Sequence, residues 1–142
     1  MLLLDTNVLS EFMRQQPAPQ VVAWLNAQSA PSLFTCAISR AEIELGLARM
    51  PAGKRQLALA QSAHAMFDAE FTGMSLPFDD AAAVHYARVV ADRNRAGQPI
   101  SVEDAQIAAI ALAHNLELAT RHVADFMGIE GLTVVDPWQF SP

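Results

Sequence analysis

Three acidic residues in this chain stand where a fold could bring their carboxylates together. Asp5 ends a short apolar run, Glu42 follows a second apolar run, and Asp104 stands three residues after Ser101, a typical helix-capping residue. Carboxylate oxygens without histidine or cysteine are ligands that suit Mg²⁺ or Mn²⁺. Because neighbouring carboxylates resist full ionisation unless a cation joins them, the three acids predict a divalent metal site.

The segment "TRH", residues 120–122, is expected beside these acids because it ends another predicted strand. Arg121 could contact a phosphate or steady a carboxylate from this position. His122 and Asp125 stand three residues apart, so a short helix that starts near His122 would place both side chains on one face. Either side chain could then approach a metal.

Helix capping is the alternative interpretation for each acid taken singly. The segments "SRAE", Ser39 to Glu42, and "SVED", Ser101 to Asp104, both match the capping box, in which an acid bonds back to the amide of a capping serine. Asp5 could likewise cap the helix that follows it. Only the joint placement of the three acids separates the two interpretations.

The elements that must position these residues are short apolar strands that alternate with helices. Strands are predicted at 2–5, 33–37, 74–78, 116–120 and 132–135. Helices are predicted at 8–13, 19–28, 39–50, 55–71, 81–95 and 101–115. Strands with little polar alternation indicate a mostly parallel sheet with helices on both faces. Sites in such sheets form outside the carboxyl ends of the strands, where the three acids are expected.

Composition narrows the class of protein. The chain has 142 residues, of which 52% are hydrophobic, and no repeat or linker divides it, so one domain over residues 1–142 is predicted. The single cysteine, Cys36, excludes an internal disulfide and a cysteine-bound metal cluster. No apolar run approaches the ~20 residues that cross a bilayer, and a cytoplasmic protein is expected. The net charge of −6 argues against a broad basic surface for polyanions.

Four segments of the chain together resemble the PIN-domain family. They are "LLLDTNVLSE", "AISRAEIELGL", "ISVEDAQIAAIA" and "LATRHVADF". More narrowly, the chain is similar to the VapC-type toxins of bacterial toxin–antitoxin pairs, including the FitB-like branch. The resemblance covers nearly the whole chain, from Leu2 to the "DPW" at Asp136 to Trp138. It implies an α/β fold of three layers, in which a short, mostly parallel sheet is flanked by helices.

By this resemblance, Asp5, Glu42 and Asp104 are metal-binding catalytic acids, and Asn7 and Thr120 are polar supports of the site. The resemblance further implies Mg²⁺- or Mn²⁺-dependent endoribonuclease activity on RNA, inhibition by a VapB-like antitoxin, and a homodimer. Asp5 and Asp104 would hold the cation, with Glu42 acting directly or through water. Such a cation would lower the pKa of a bound water.

Two apolar helical segments predict where the antitoxin docks. They are "VVAWL", residues 21–25, and "IELGLARM", residues 43–50. Both carry more apolar residues than one core face requires. We predict that they border a groove for an amphipathic antitoxin helix.

The chain departs from the family pattern at His122, where relatives commonly carry Asp or Asn. Asp125 stands three residues later, where many relatives also have an acid. The sequence therefore leaves open whether the site has three acids or four. We predict that Asp125 assists metal binding and that His122 acts at most indirectly.

Two other functions fit parts of the pattern. In an aspartyl phosphotransferase, Asp5 would be the nucleophile, but the haloacid dehalogenase group needs a second acid two residues later, where this chain has Asn7. A non-catalytic interaction domain would use the acids only as helix caps. Such a domain would show no stabilisation by Mn²⁺ or Mg²⁺ in a thermal melt.

Overall fold

Five short strands form one parallel sheet in the computed structural model, which describes residues 1–142. The strands are β1 (Leu2–Leu4), β2 (Leu33–Cys36), β3 (Ser75–Leu76), β4 (Glu117–Ala119) and β5 (Val134–Val135). Their order across the sheet is β3-β2-β1-β4-β5, and every neighbouring pair is parallel. The predicted parallel sheet is confirmed, and each predicted strand is present in a shorter form.

Six helices cover the two faces of the sheet. They are α1 (Thr6–Phe12), α2 (Pro19–Asn26), α3 (Ala37–Arg49), α4 (Lys54–Ala65), α5 (Asp80–Arg95) and α6 (Val102–Ala113). Side chains alternate along β1, so Leu3 packs with Ile107 of α6 on one face. Leu4 packs with Val8 of α1 and Ile43 of α3 on the other. The fold therefore has three layers: helices, sheet and helices.

Several helix boundaries differ from the prediction, and two of the differences have a clear local cause. Helix α1 begins at Thr6 rather than at residue 8, because the Asp5 carboxylate caps it by accepting from Thr6 N at 2.8 Å. The predicted helix over 55–71 changes form after Ala65, where a π-helical turn follows at Met66–Glu70. The 2.9 Å bond from Phe71 N to Met66 O, five residues back, closes that wider turn.

The chain reverses its direction across the sheet between β1 and β4. From β1 it proceeds outward through β2 to β3, and it then returns through α5 and α6 to β4 on the other side of β1. In an open parallel sheet, this switch point leaves a crevice outside the carboxyl ends of two neighbouring strands. Asp5 directly follows β1 and Thr120 directly follows β4, so both residues lie at the crevice.

A buried arginine fastens the segment after β4 to α5. Arg93 donates from Nη1 to the carbonyl oxygens of Asp125 at 2.9 Å and Met127 at 3.3 Å. Its Nε donates to the carbonyl oxygen of Gln98 at 2.7 Å. The 3₁₀ turn at Val123–Phe126, which includes Asp125, is thereby fixed relative to the end of α5.

None of the helices combines the length and the apolar composition that a membrane span requires.

Candidate active site

The Asp5 carboxylate is buried and held by three donors. Its Oδ1 accepts from Thr6 N at 2.8 Å. Its Oδ2 accepts from Asn7 Nδ2 at 3.0 Å and from Thr120 Oγ1 at 2.7 Å. Asp5 therefore caps α1, as the alternative interpretation predicts, but its second oxygen is fixed by polar residues at the crevice. The carboxylate is held in one orientation.

Thr120 uses every hydrogen-bonding position of its hydroxyl. Its Oγ1 donates to Asp5 Oδ2 and accepts from Asn7 Nδ2 and His122 N, both at 3.1 Å. A hydroxyl has one proton and two acceptor lone pairs, so none is left unpaired. Asn7 Oδ1 accepts from Arg121 N at 3.0 Å, which ties the segment after β4 to α1. Both residues named as supports by the resemblance thus contact Asp5.

Glu42 is anchored to the start of α1 and does not cap a helix. Helix α3 begins at Ala37 rather than at residue 39, so Glu42 stands in its second turn. Ser39 is buried inside that helix, and its Oγ lies 2.9 Å from Thr6 Oγ1. Thr6 Oγ1 donates to Glu42 Oε1 at 2.8 Å. The capping-box interpretation of "SRAE" is therefore wrong.

Asp104 stands in the first turn of α6, which Ser101 caps by accepting from Asp104 N at 3.2 Å. Burial, followed by the charge of Asp5, raises the pKa of Asp104 to about 6. The charges of Asp125 and Glu42 raise this pKa further, while the hydrogen bond to Ser101 opposes the rise without cancelling it. The four acids therefore lie close enough to disfavour their joint ionisation.

The three predicted acids line one open cavity of about 520 Å³ at the carboxyl edge of the sheet. No three acidic, histidine or cysteine side chains converge closely enough to enclose one ion. An ion held directly by Asp5, Glu42 and Asp104 together would need side-chain movement. Water could instead complete a site formed by two of them.

Basic and aromatic groups complete the wall of this cavity. The Arg121 guanidinium lies over the ring of Trp138, 5.0 Å from its centroid, and both residues line the cavity. A cation in this position is attracted to the face of the indole ring. His122 also lines the cavity, whereas Asp125 does not. Of these two residues, only His122 therefore lines the cavity.

Sequence reasoning missed four polar or charged residues of this wall, which are Thr6, Ser10, Glu11 and Arg14. Thr6 stands between two predicted site residues in "DTN" and could have been found by its position. Glu11 stands four residues after Asn7, and Arg14 stands three residues after Glu11, which is the spacing of one helix face. That spacing was the available signal for both.

The raised pKa of Asp104 predicts a change in stability without metal. Asp104→Asn removes a carboxylate whose charged form the fold disfavours, so at about pH 7.5 it is expected to raise the free energy of unfolding by about 1 kcal/mol, after allowance for solvent screening. The melting temperature should rise by about 2–4 °C. Because the folded pKa of about 6 exceeds the ordinary value of 3.8, the penalty is full above that pKa and disappears below the ordinary one.

Thermal melts in EDTA across this pH range measure the effect. The matched control is Glu103→Gln, because Glu103 is the neighbouring exposed acid and does not line the cavity. The control should leave the melting temperature unchanged or lower it slightly above about pH 5, because the charge of Glu103 in the first turn of α6 is favourable with the helix dipole. A lower melting temperature for Asp104→Asn at about pH 7.5 would contradict the prediction.

All residues of this cavity except Trp138 fall within a region that matches a known family. The PIN domain family matches residues 2–122. The chain belongs to the PIN domain family. This PIN domain protein is 39% identical over 139 residues to the VapC ribonuclease Y4jK of Sinorhizobium fredii, covering 98% of this chain and 99% of that relative. It is 38% identical over 138 residues to Toxin FitB of Neisseria gonorrhoeae, covering 97% of this chain and 99% of that relative.

Solved structures share the fold of this PIN domain protein. A structure of FitAB bound to an IR36 DNA fragment has a TM-score of 0.90 and 36% identity, covering 100% of this chain and 99% of that chain. A crystal structure of FitAcB from Neisseria gonorrhoeae has a TM-score of 0.87 and 36% identity, covering 99% of this chain and 100% of that chain. The three-layer PIN-like fold and the resemblance to VapC- and FitB-type toxins are confirmed.

Proposed function

We propose that this PIN domain protein is a metal-dependent endoribonuclease toxin that a VapB-like antitoxin neutralises. The observation that carries the proposal is the cavity shared by Asp5, Glu42 and Asp104, in which burial and neighbouring charge raise the pKa of Asp104. Relatives of nearly the same length that are named VapC ribonuclease and Toxin FitB support it. The single sheet, whose strands come from both halves of the chain, supports one PIN domain over residues 1–142.

The donor set fits Mg²⁺ or Mn²⁺. The three acids offer only oxygen atoms, and their mutual repulsion favours a cation between them. Asp5 and Asp104 would hold the ion, with Glu42 acting through water. When bound, the ion lowers the pKa of a water molecule and stabilises charge that develops on the phosphate.

The chain's own residues set the geometry for hydrolysis. The Thr120 hydroxyl holds Asp5 in its orientation, and the Thr6 hydroxyl holds Glu42. Arg121, whose backbone N donates to Asn7 Oδ1 of α1, would bind a phosphate next to the reacting bond. Bidentate guanidinium contacts suit phosphate oxygens. These residues would orient the RNA backbone against the acids.

Cleavage of RNA by the purified protein tests the proposal. Cellular RNA is incubated with Mg²⁺, with Mn²⁺ or with EDTA, and the 5′ ends of the products are sequenced. We expect discrete cleavage sites with either ion and none with EDTA. No cleavage with either ion, together with no rise in melting temperature on adding them, would favour a non-catalytic interaction domain.

We further propose that the antitoxin docks beside α2. An open, mostly apolar cavity of about 500 Å³ is lined there by Val22, Leu25 and Phe71, among others. The predicted border at residues 21–25 therefore faces an apolar cavity. Leu45 of α3 is exposed, so the predicted border there stays a prediction, although Ile43 and Leu47 are buried in the core. Neither residue is available to a partner.

Val22→Glu is expected to weaken inhibition by the cognate antitoxin about ten-fold or more, because it places a charge against an apolar contact. The matched control is Val84→Glu, an exposed valine on α5. Titration of the antitoxin into the cleavage assay measures the effect, and unchanged inhibition by Val22→Glu would remove this cavity from the interface. Sedimentation of the same samples tests the homodimer, which stays a prediction.

Asp125→Asn is expected to weaken the use of metal more than His122→Ala does. The charge of Asp125 contributes to the raised pKa of Asp104, and Arg93 holds its backbone in place, so Asp125 can assist through water without lining the cavity. We expect Asp125→Asn to cost about ten-fold in activity and His122→Ala to cost less. His122→Asp should keep activity and improve the use of Mg²⁺, which prefers oxygen ligands.

A metal titration of cleavage at fixed ionic strength compares these three variants. His122→Asp changes a residue that lines the cavity, whereas Asp125→Asn removes a charge from a residue that does not line it. A loss in His122→Ala as large as that in Asp5→Asn, with Asp125→Asn unaffected, would reverse the two roles.

A further inference from the structure

A basic groove lies beside the acidic cavity, between the end of α1 and the first turns of α4. It is open, with a volume of about 830 Å³, and its lining includes Arg14, Lys54 and Arg55 but no acidic residue. The chain as a whole has 9 basic residues against 15 acidic ones. Arg14 is paired with Glu11, whereas Lys54 and Arg55 form no ion pair, so these two cations are a local exception to the negative charge of this protein.

The groove and the acidic cavity meet at Arg14, which lines both. Glu11 fixes the position of Arg14 at this boundary. The Glu11 carboxylate is buried, lies 3.2 Å from Arg14 Nη1 and also accepts from Ala18 N at 3.0 Å. A polymer that leaves the acidic cavity at Arg14 would enter the basic groove directly.

The two cations of α4 do not serve the stability of their helix. Lys54 and Arg55 stand in its first turn, where the positive end of the helix dipole repels them. The N-cap residue, Gly53, has no side chain to bond the first amides of the helix. Helix stability therefore does not explain the positive charge at this end of α4.

We propose that this groove binds the phosphates of a single-stranded RNA segment adjacent to the bond cut in the acidic cavity, an inference that rests on the proposed function. Lys54 and Arg55 would neutralise two successive phosphates, and Arg14, held by Glu11, would contact the chain where the groove meets the cavity. Gln15, Gln16 and Ser62, which also line the groove, offer hydrogen bonds to ribose hydroxyls. A single strand can bend from the groove into the cavity at Arg14, and the acids there then act on the next linkage.

The test compares two double variants with the same change in charge. Lys54→Gln with Arg55→Gln removes two cations from the groove. Arg88→Gln with Arg95→Gln removes two exposed cations from α5 and is the control. Binding of a labelled single-stranded RNA of about 20 nucleotides is measured in EDTA at several salt concentrations. Cleavage is measured with Mn²⁺ on this long RNA and on a short RNA of about four nucleotides around the cut.

We expect the groove variant to bind the long RNA about five- to ten-fold more weakly. The slope of the logarithm of the binding constant against the logarithm of the salt concentration should become less steep by about 1.4, because two phosphate contacts on a single strand are lost. KM for the long RNA should rise by a similar factor, while kcat and cleavage of the short RNA stay unchanged. The melting temperature should stay the same or rise, because two cations have left a helix N-terminus.

The outcomes separate the groove from the active site. Equal RNA affinity and equal salt slopes for both double variants would overturn the groove assignment, as would a lower melting temperature that accounts for the loss. A groove variant that resists the cognate antitoxin while binding RNA normally would assign the groove to an acidic protein segment instead. Wild-type protein that binds RNA through the groove but cuts none would overturn the proposed function and leave the groove standing.

Discussion

Asp5→Asn, Glu42→Gln and Asp104→Asn are each expected to abolish measurable RNA cleavage, a loss of about a thousand-fold or more, while the fold is retained. Each variant keeps the size and the polar character of the side chain but removes a negative charge that would hold the cation. All three side chains line the same cavity. Single-turnover cleavage at saturating Mn²⁺ measures the loss.

Glu42→Gln is the sharpest of these variants. If Glu42 were a cap, glutamine would replace it at little cost, because glutamine also completes a capping box. Helix α3 begins at Ala37, so Glu42 has no capping position to fill. The control is Glu103→Gln, an exposed acid outside the cavity that should cleave RNA like the wild type. Full cleavage by Glu42→Gln with Mn²⁺ would remove Glu42 from the site.

The sheet and the placement of its acids followed from local patterns. Short apolar runs such as Leu2–Leu4 predict buried parallel strands, because helices cover both faces and leave no polar alternation. The joint placement of Asp5 and Asp104 followed from the rule that sites collect at the carboxyl ends of strands. These features depend on periodicity and on chain order, which the sequence displays directly.

Contacts between distant elements could not be predicted in the same way. Ser39 stands three residues before Glu42, as in a capping box, but its tertiary partner is Thr6, 33 residues away. Nothing in the local pattern distinguishes a capping serine from one buried inside the helix. Arg93 was likewise unpredicted, because its partners are backbone carbonyls that no residue type reveals.

The basic groove illustrates the same limit. Lys54 and Arg55 are visible in the sequence as a short basic cluster, which is usually a solvated face. Arg14 belongs with them only because the segment that follows α1 lines the same groove as α4. The fold therefore creates a charge pattern that the linear sequence does not show.

Thr120→Val is expected to lower RNA cleavage by about ten- to a hundred-fold, the range typical when a group that orients a metal ligand is lost. Valine has nearly the same shape as threonine but cannot donate to Asp5 Oδ2 or accept from Asn7 and His122. The buried groups left without a partner also cost about 1–3 kcal/mol of stability. The concentration of Mn²⁺ needed for half-maximal cleavage should rise, which a purely structural loss would not cause.

Two matched variants isolate the role of the Thr120 hydroxyl. Thr120→Ser retains the hydroxyl and should restore most of the activity and the ordinary Mn²⁺ requirement. Thr35→Val makes the same substitution at another fully buried threonine, whose hydroxyl has no hydrogen-bond partner, so it should leave activity unchanged and stability equal or higher. Both threonines are buried, one in β2 and the other directly after β4. A loss of cleavage in Thr35→Val equal to that in Thr120→Val would therefore show that packing, and not the bond to Asp5, sets the activity.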